Sequence, residues 1–463
     1  MPQQVEYRKD SVGTGTSPSF IVILIDDMGW RDMGFTGNRF VETPHADRLA
    51  REGVVFSQTY SSAPNCAPTR ACLISGQYPP RHGVYTVVDE RHTPGRPHHK
   101  LLAAESRAEM ATEVISIAEA LKPAGYATGC FGMWNLGRGH HTPASPEGQG
   151  FDTFTRPQDL GFERNTYFHE DGSYLPDRLT LEAVRFMVEH RDQPFLVYVA
   201  PHSVHAPFDP KPELLKKYQA KPGATEHDPV YAATIEALDT NIGRLHAALH
   251  RLGLEQRTTI LFTSDNGGNP QYTAPLKGGK GQLYEGGIRV PAFAWGYGVN
   301  ARGTTCADPI SSIDFYPTLL ELASLPASNG HHLDGISILP ALNGRGLDRQ
   351  NLYWHFPCYI GRSSPSSAIR SGSYKLIEFF EGPRLELYNL AEDPGEQHNL
   401  AISDPTRTAA VHQQLQAWQR ATGAAMPRGA NPDYDPTAVP IKGPKGKKSN
   451  GRKGGKKVHA TFN

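Results

Sequence analysis

Residues 20–25, Phe-Ile-Val-Ile-Leu-Ile, are apolar at every position and rich in β-branched side chains. Such a run predicts a strand buried on both faces, as in a parallel sheet. It stops abruptly at Asp26-Asp27. Two more segments repeat the pattern: Thr258–Ser264 runs into Asp265-Asn266-Gly267-Gly268, and Phe195–Ala200 into Pro201-His202-Ser203-Val204-His205. Between them apolar residues recur near i, i+3 and i+4 at 113–124, 178–191, 231–252 and 313–325, which predicts helices. Strands alternating with helices imply a mostly parallel sheet covered on both faces. After about residue 345 the pattern shortens. Residues 367–369, 375–379 and 385–390 predict brief antiparallel strands between Gly, Ser and Pro turns, and 407–422 predicts a closing helix. No internal repeat is evident.

Ligands of open α/β sheets bind beyond the carboxyl ends of the strands, so the polar residues there are the first candidates for chemistry. Adjacent carboxylates at Asp26 and Asp27 repel each other unless a cation lies between them; the alternative is an Asp-rich turn or cap. Asp265 and Asn266 add a carboxylate and an amide oxygen at a second strand end. An all-oxygen shell of this kind suits Ca²⁺ or Mg²⁺ and disfavours Zn²⁺, which takes His or Cys.

Cys66-Ala67-Pro68-Thr69-Arg70, running into Ala71-Cys72-Leu73-Ile74-Ser75-Gly76, resembles the signature of the type I sulfatases, Cys-x-Pro/Ala-Ser/Thr-Arg followed by x-x-Leu-x-Ser/Thr-Gly. Lone cysteines are more often small buried core residues. Here the Asp26-Asp27 and Asp265-Asn266 contexts also match that family, and the resemblance extends further. Pro201-His202-Ser203-Val204-His205-Ala206-Pro207-Phe208 resembles its Pro-His-x-x-His-x-Pro-Phe stretch. Pro275 to Pro291, with Lys280 and Glu285-Gly286-Gly287-Ile288-Arg289, is similar to another family segment, as is Leu387 to Glu396. Thr43-Pro44-His45-Ala46-Asp47 matches a structural helix start without chemistry.

The resemblance implies an alkaline-phosphatase-like α/β sandwich with a mostly parallel central sheet, plus a small C-terminal α+β domain closing one side of the cleft. It implies hydrolysis of sulfate esters, with a sulfated sugar as substrate. By the same resemblance, a maturation enzyme oxidises Cys66 to Cα-formylglycine, whose hydrate is the nucleophile. The implied metal set is Asp26, Asp27, Cys66, Asp265 and Asn266, holding Ca²⁺ or Mg²⁺. Arg70 would neutralise the nucleophile, while Lys280 and His205 would bind the sulfate. The implied organisation is a polar segment 1–19, a catalytic domain 20–345, a small domain 346–440 and a basic tail 441–463.

One stretch departs from the family. Where sulfatases carry Gly-Lys-Trp-His-Leu-Gly, this chain reads Gly132-Met133-Trp134-Asn135-Leu136-Gly137. Met133 cannot supply the bridging cation, and Asn135 hydrogen-bonds but takes no proton. Three readings stand: a substrate of different charge, as in related phosphonate monoester and phosphodiester hydrolases; replacement of the lost groups by Arg138, His140 or His141; or a glycan-binding protein without turnover. In Tyr353 to Tyr359, Cys358 replaces a histidine common in some sulfatases, which makes it a substrate-side candidate.

Composition adds bounds. A chain of 463 residues holds one large domain plus a small one. Five scattered cysteines argue against a disulfide framework. No apolar run is long enough for a membrane span. Residues 1–19 have no apolar leader core, so the chain is expected to be cytoplasmic, with the periplasm or secretion as the family alternative. Lys and Arg total 47, as do Asp and Glu, but eight of the bases lie in 441–463, which leaves the remainder net −8. That Gly/Lys tail reads as disordered, either simply solvated or tethering a polyanion; nucleic acid is not the expected partner.

Overall fold

A computed structural model describes residues 17–87, 95–163, 166–361 and 363–438. Most of the polar segment 1–19 and all of the tail 441–463 lie outside these residues. The central sheet has eight strands, in the spatial order Thr304–Cys306, Val54–Phe56, Phe293–Gly296, Thr258–Ser264, Ser19–Ile25, Phe195–Ala200, Ala127–Gly132 and Thr153–Thr155. Only Phe293–Gly296 runs against the others. The alternation along residues 20–25 explains the apolar run. Phe20, Val22 and Leu24 enter one core and Ile21, Ile23 and Ile25 the other, because successive strand side chains point to opposite faces.

Helices Pro44–Glu52, Leu175–Glu189 and Pro229–Leu252 cover one face, through residues such as Leu49, Phe186 and Leu245. Cys66–Ser75, Ile117–Leu121 and Phe315–Leu322 cover the other. The helix expected from residue 113 starts at Ile117 because Ser116 caps it. Its Oγ accepts from Glu119 N at 3.0 Å, and Glu119 Oε2 accepts from Ser116 N at 2.8 Å. The helix expected from 313 begins as a 3₁₀ turn, Ser312–Asp314, before Phe315–Leu322.

Asn351–Phe356, Ser366–Ser371, Tyr374–Phe379 and Arg384–Asn389 form a four-stranded antiparallel sheet in chain order. The first of these was not predicted. Helix Pro405–Thr422 packs Val411 and Leu415 against Ile369, Leu376 and Leu387 on one face. On the opposite face Trp354, Ile377 and Tyr388 meet Tyr60, Leu283 and Ile288 from the larger part of the chain. The chain is thus α/β, with a small antiparallel C-terminal sheet packed directly on the larger part. Among the described residues, no helix is long and apolar enough to cross a membrane.

Candidate active site

Four neighbouring parallel strands deliver the site from their carboxyl ends. Ile25 pairs with Ser264, so Asp26-Asp27 and Asp265-Asn266 leave the sheet side by side. Phe195–Ala200 leads to His202 and His205 beside them, and Ala127–Gly132 leads to Met133 and Asn135. Ala200 pairs with Gly132, and Met133 N donates to Ala200 O at 2.7 Å. Gly132 has φ +111°, and a Cβ there would run into Ala200 O, so glycine is what lets this strand end so close to its neighbour.

Cys66 opens helix Cys66–Ser75, which is buried along its whole length. Its Sγ lies 3.4 Å from Asp26 Oδ1 and 4.0 Å from Asp27 Oδ1. Ligand atoms of Asp26, Asp27, Cys66 and Asp265 all fall within 4.8 Å of one another. Arg70, four residues on and therefore on the same helix face, is fully buried. It donates to Asp265 Oδ2 through Nη2 at 2.7 Å and Nε at 3.1 Å, and to Met133 O through Nη1 at 2.7 Å. Its Nη2 is also 3.4 Å from Asp26 Oδ2.

Lys280 and His205 approach from the open side. Lys280 Nζ is 2.6 Å from Asp27 Oδ1, and His205 Nε2 is 3.7 Å from Asp27 Oδ2. His205 Nδ1 donates to Ala206 O at 2.5 Å, which leaves Nε2 facing the cluster. Tyr167 OH donates to His202 O and His205 O at 3.2 and 3.0 Å and so braces that turn from behind. Asn266 turns its amino group to the carboxylates: Nδ2 donates to Asp27 Oδ1 and Asp265 Oδ1, both at 2.8 Å. Its Oδ1 accepts from Gly268 N at 2.9 Å and keeps a second lone pair for a cation.

The cluster is short of positive charge. Burial disfavours ionisation of Asp26, but Arg70, then His205 and Lys280, outweigh it and hold that carboxyl well below the usual range. Burial and the neighbouring Asp26 charge push Asp265 up to about 7 even though it is bonded to Arg70. Burial, then Asp26, also drives the Cys66 thiol well above its ordinary value. A donor set of three carboxylates and an amide, with this excess of negative charge, fits a hard divalent cation.

A cavity of about 640 Å³ opens above the cluster. Asp26, Cys66, His202, His205 and Lys280 line it, and Met133 and Asn135 form part of its wall. Every expected site residue (Asp26, Asp27, Cys66, Arg70, His205, Asp265, Asn266 and Lys280) therefore belongs to one constellation. The groups considered as replacements divide. Arg138 lines the cavity. His140 is held between Glu147 at 2.6 Å and Asp159 at 2.9 Å, and His141 is 84 % exposed. Cys358 is a core residue rather than a substrate-side one, with Sγ buried 3.7 Å from Ala104 O in the packing beneath the C-terminal sheet. His202 was visible in the sequence only as part of a motif. It is buried in the cavity wall, and burial pushes its pKa down to about 4, so it stands neutral. No sequence signal pointed to Tyr167.

This sheet order sets three carboxylates at strand ends beside a buried helix-start cysteine. The family described as Sulfatase matches residues 18–325, and that described as N-sulphoglucosamine sulphohydrolase, C-terminal, matches 279–421. A sulfatase of Formosa agariphila is 30 % identical, covering 87 % of this chain and 88 % of its own. Human arylsulfatase A is likewise 30 % identical over 87 % of each chain. The crystal structure of Ps i-CgsB in complex with k-i-k-neocarrahexaose superposes with a TM-score of 0.74 at 26 % identity, covering 89 % of this chain and 95 % of that one. The chain belongs to the sulfatase family of sulfuric ester hydrolases.

Proposed function

We propose that the chain hydrolyses sulfate esters of a sulfated sugar, using formylglycine made from Cys66 and a Ca²⁺ or Mg²⁺ ion held by Asp26, Asp27, Asp265 and Asn266. The observation that carries this reading is the placement of Cys66 Sγ among three carboxylates at the floor of a cavity that Lys280 and His205 also enter. Unmodified, Cys66 is a poor nucleophile, because burial and Asp26 keep it a protonated thiol. A formylglycine hydrate at this position would supply one hydroxyl to attack sulfur in line with the ester oxygen and a second to expel sulfate. The cation would supply positive charge against the sulfate oxygens and the nucleophile.

The remaining roles fall to this chain's own side chains. Arg70, fixed by Asp265 and by Met133 O, keeps positive charge behind the nucleophile. The Lys280 ammonium lies 2.6 Å from Asp27 Oδ1, beside the Asp26 and Asp265 carboxylates, and so stays charged, ready to bind a sulfate oxygen. His205, with Nε2 facing the cluster, is placed to act as the acid for the departing alcohol. A sugar alcohol is supported by the size of the cavity, by the family resemblance and by the oligosaccharide in the i-CgsB complex. Maturation requires a formylglycine-generating enzyme as partner.

Met133 and Asn135 favour a second reading, a phosphonate monoester or phosphodiester hydrolase, because both neutral side chains line the reaction cavity. Restoring the family residues separates the two. For a sulfatase working without these groups, Met133→Lys/Asn135→His should raise turnover of an aryl sulfate by about 10²-fold, the contribution of a positioned acid–base group. For a phosphorus ester hydrolase, the same change should lower kcat/KM on a phosphodiester and leave sulfate turnover negligible. Binding of a sulfated oligosaccharide with no turnover in either protein would identify a pseudosulfatase.

A further inference from the structure

The segment that brings Lys280 into the cavity is gripped from behind by the C-terminal sheet. Lys375 lies in strand Tyr374–Phe379 and its side chain is completely buried. Its Nζ sits 2.9 Å from Glu285 Oε1 and 3.0 Å from Glu396 Oε1, two carboxylates that are themselves fully buried. Glu285 is the first residue of the short helix Glu285–Ile288, five residues after Lys280. Its backbone N–H donates to Glu396 Oε2 at 2.6 Å, and its Oε2 accepts from Tyr60 OH at 2.9 Å. Glu396 is a non-glycine residue at φ +54°, a backbone state that costs free energy and persists only where the surroundings demand it.

The segment between these points is short and internally tied. Gly286 N donates to Lys277 O at 2.8 Å, Gln282 N to Gly279 O at 3.0 Å, and Lys280 N to Gly268 O at 2.8 Å. A Cβ on Gly287 would collide with Gln282 O and Gly279 O, so the turn has no slack to absorb a shift at Glu285. Lys280 Nζ, at the tip, lies 2.6 Å from Asp27 Oδ1 and lines the cavity together with Cys66.

We infer that Lys375 is a positioning residue: by neutralising Glu285 and Glu396 together it fixes the start of helix Glu285–Ile288, and through that segment the placement of Lys280 in the cavity. Without the ammonium, Glu396 would lose its ion-pair partner while Glu285 kept the longer contact to Arg289 at 3.7 Å, so the two buried carboxylates would repel and one must move or take up a proton. Either response releases the Glu396–Glu285 backbone clamp. The small C-terminal sheet, which contributes no side chain to the metal cluster, thus governs the sulfate-binding lysine.

This inference rests on the reading that Lys280 binds the sulfate, and a double-mutant cycle on the matured, metal-loaded enzyme tests the two separately. Unchanged kcat/KM for an aryl sulfate in Lys280→Ala would overturn the role of Lys280 itself. Given a loss there, Lys375→Met should lower kcat/KM by about 10²-fold in the wild-type background, the order that a 1 Å misplacement costs. In the Lys280→Ala background the same substitution should change kcat/KM by no more than about twofold, within the usual error of additivity. Inhibition by inorganic sulfate should weaken alongside. An equal loss in both backgrounds would show a merely structural role and overturn the proposal. Glu396→Ala, which removes the backbone clamp but leaves Lys375 paired with Glu285, runs the same cycle if Lys375→Met does not fold, and the same equality overturns it.

Discussion

Cys66→Ala is expected to eliminate ester hydrolysis, by about 10⁴-fold or more, while leaving the fold and the thermal unfolding profile close to those of the parent. The chemical loss is large because removing a covalent nucleophile removes the reaction path rather than one stabilising contact. The structural loss is small because Cys66 opens a helix that is buried throughout, and alanine fits the same backbone with less volume. Among the described residues, its thiol makes only long polar contacts, to Asp26 and Asp27 at 3.4 and 4.0 Å. Steady-state assays on an aryl sulfate measure the first effect and circular dichroism the second. Mass spectrometry of the Cys66 peptide after expression with a maturation enzyme should show sulfur replaced by oxygen together with loss of two hydrogens, the signature of an aldehyde. Equal turnover by Cys66→Ala and the matured parent would reject formylglycine chemistry.

Chelating the divalent cation is expected to reduce turnover to background, with recovery on adding Ca²⁺ or Mg²⁺ and none on adding a monovalent salt. Asp26, Asp27 and Asp265 are brought within 4.8 Å of one another and of Cys66, and burial already pushes Asp265 up to about 7. Among the described residues, Arg70 and Lys280, with His205 Nε2 3.7 Å from Asp27, lie within ion-pair distance to offset them. A bound cation therefore relieves repulsion in the folded state alone, and saturating it at 100 times its dissociation constant should stabilise the fold by about 2.7 kcal/mol. Thermal unfolding with and without chelator measures that shift. An unfolding temperature and a turnover both indifferent to chelation would remove the metal from the site.

Much of this protein was legible locally. The apolar runs at 20–25, Phe195–Ala200 and Thr258–Ser264 are strands because buried parallel strands need apolar side chains on both faces, and that requirement is written in consecutive residues. Each run ends in the polar residues that line up at the candidate site, so Asp26, Asp27, His205, Asp265 and Asn266 were visible from the sequence, as was Cys66 from its Pro-Thr-Arg context. Ala127–Gly132 was not legible. Ala-Thr-Gly-Cys-Phe-Gly has little strand propensity of its own, and it is extended because it pairs with a strand on each side. Asn351–Phe356 likewise gains its state from its antiparallel neighbour Ser366–Ser371.

Tertiary structure alone decided the rest, because it depends on distances between residues remote in the chain. The register of Ile25 with Ser264 sets Asp27 and Asn266, 239 positions apart, within a hydrogen bond of 2.8 Å. The pairing of Ala200 with Gly132 places Met133 and Asn135 on the cavity wall, while the packing beneath the C-terminal sheet buries Cys358 away from it. Lys375 carries no motif that marks it. Its significance arises only where the antiparallel sheet docks on the larger part of the chain and closes its ammonium between Glu285 and Glu396. Local patterning determines which residues can serve, since burial and periodicity act over a few positions. Which of them meet is determined by strand register and packing, which act across the whole chain.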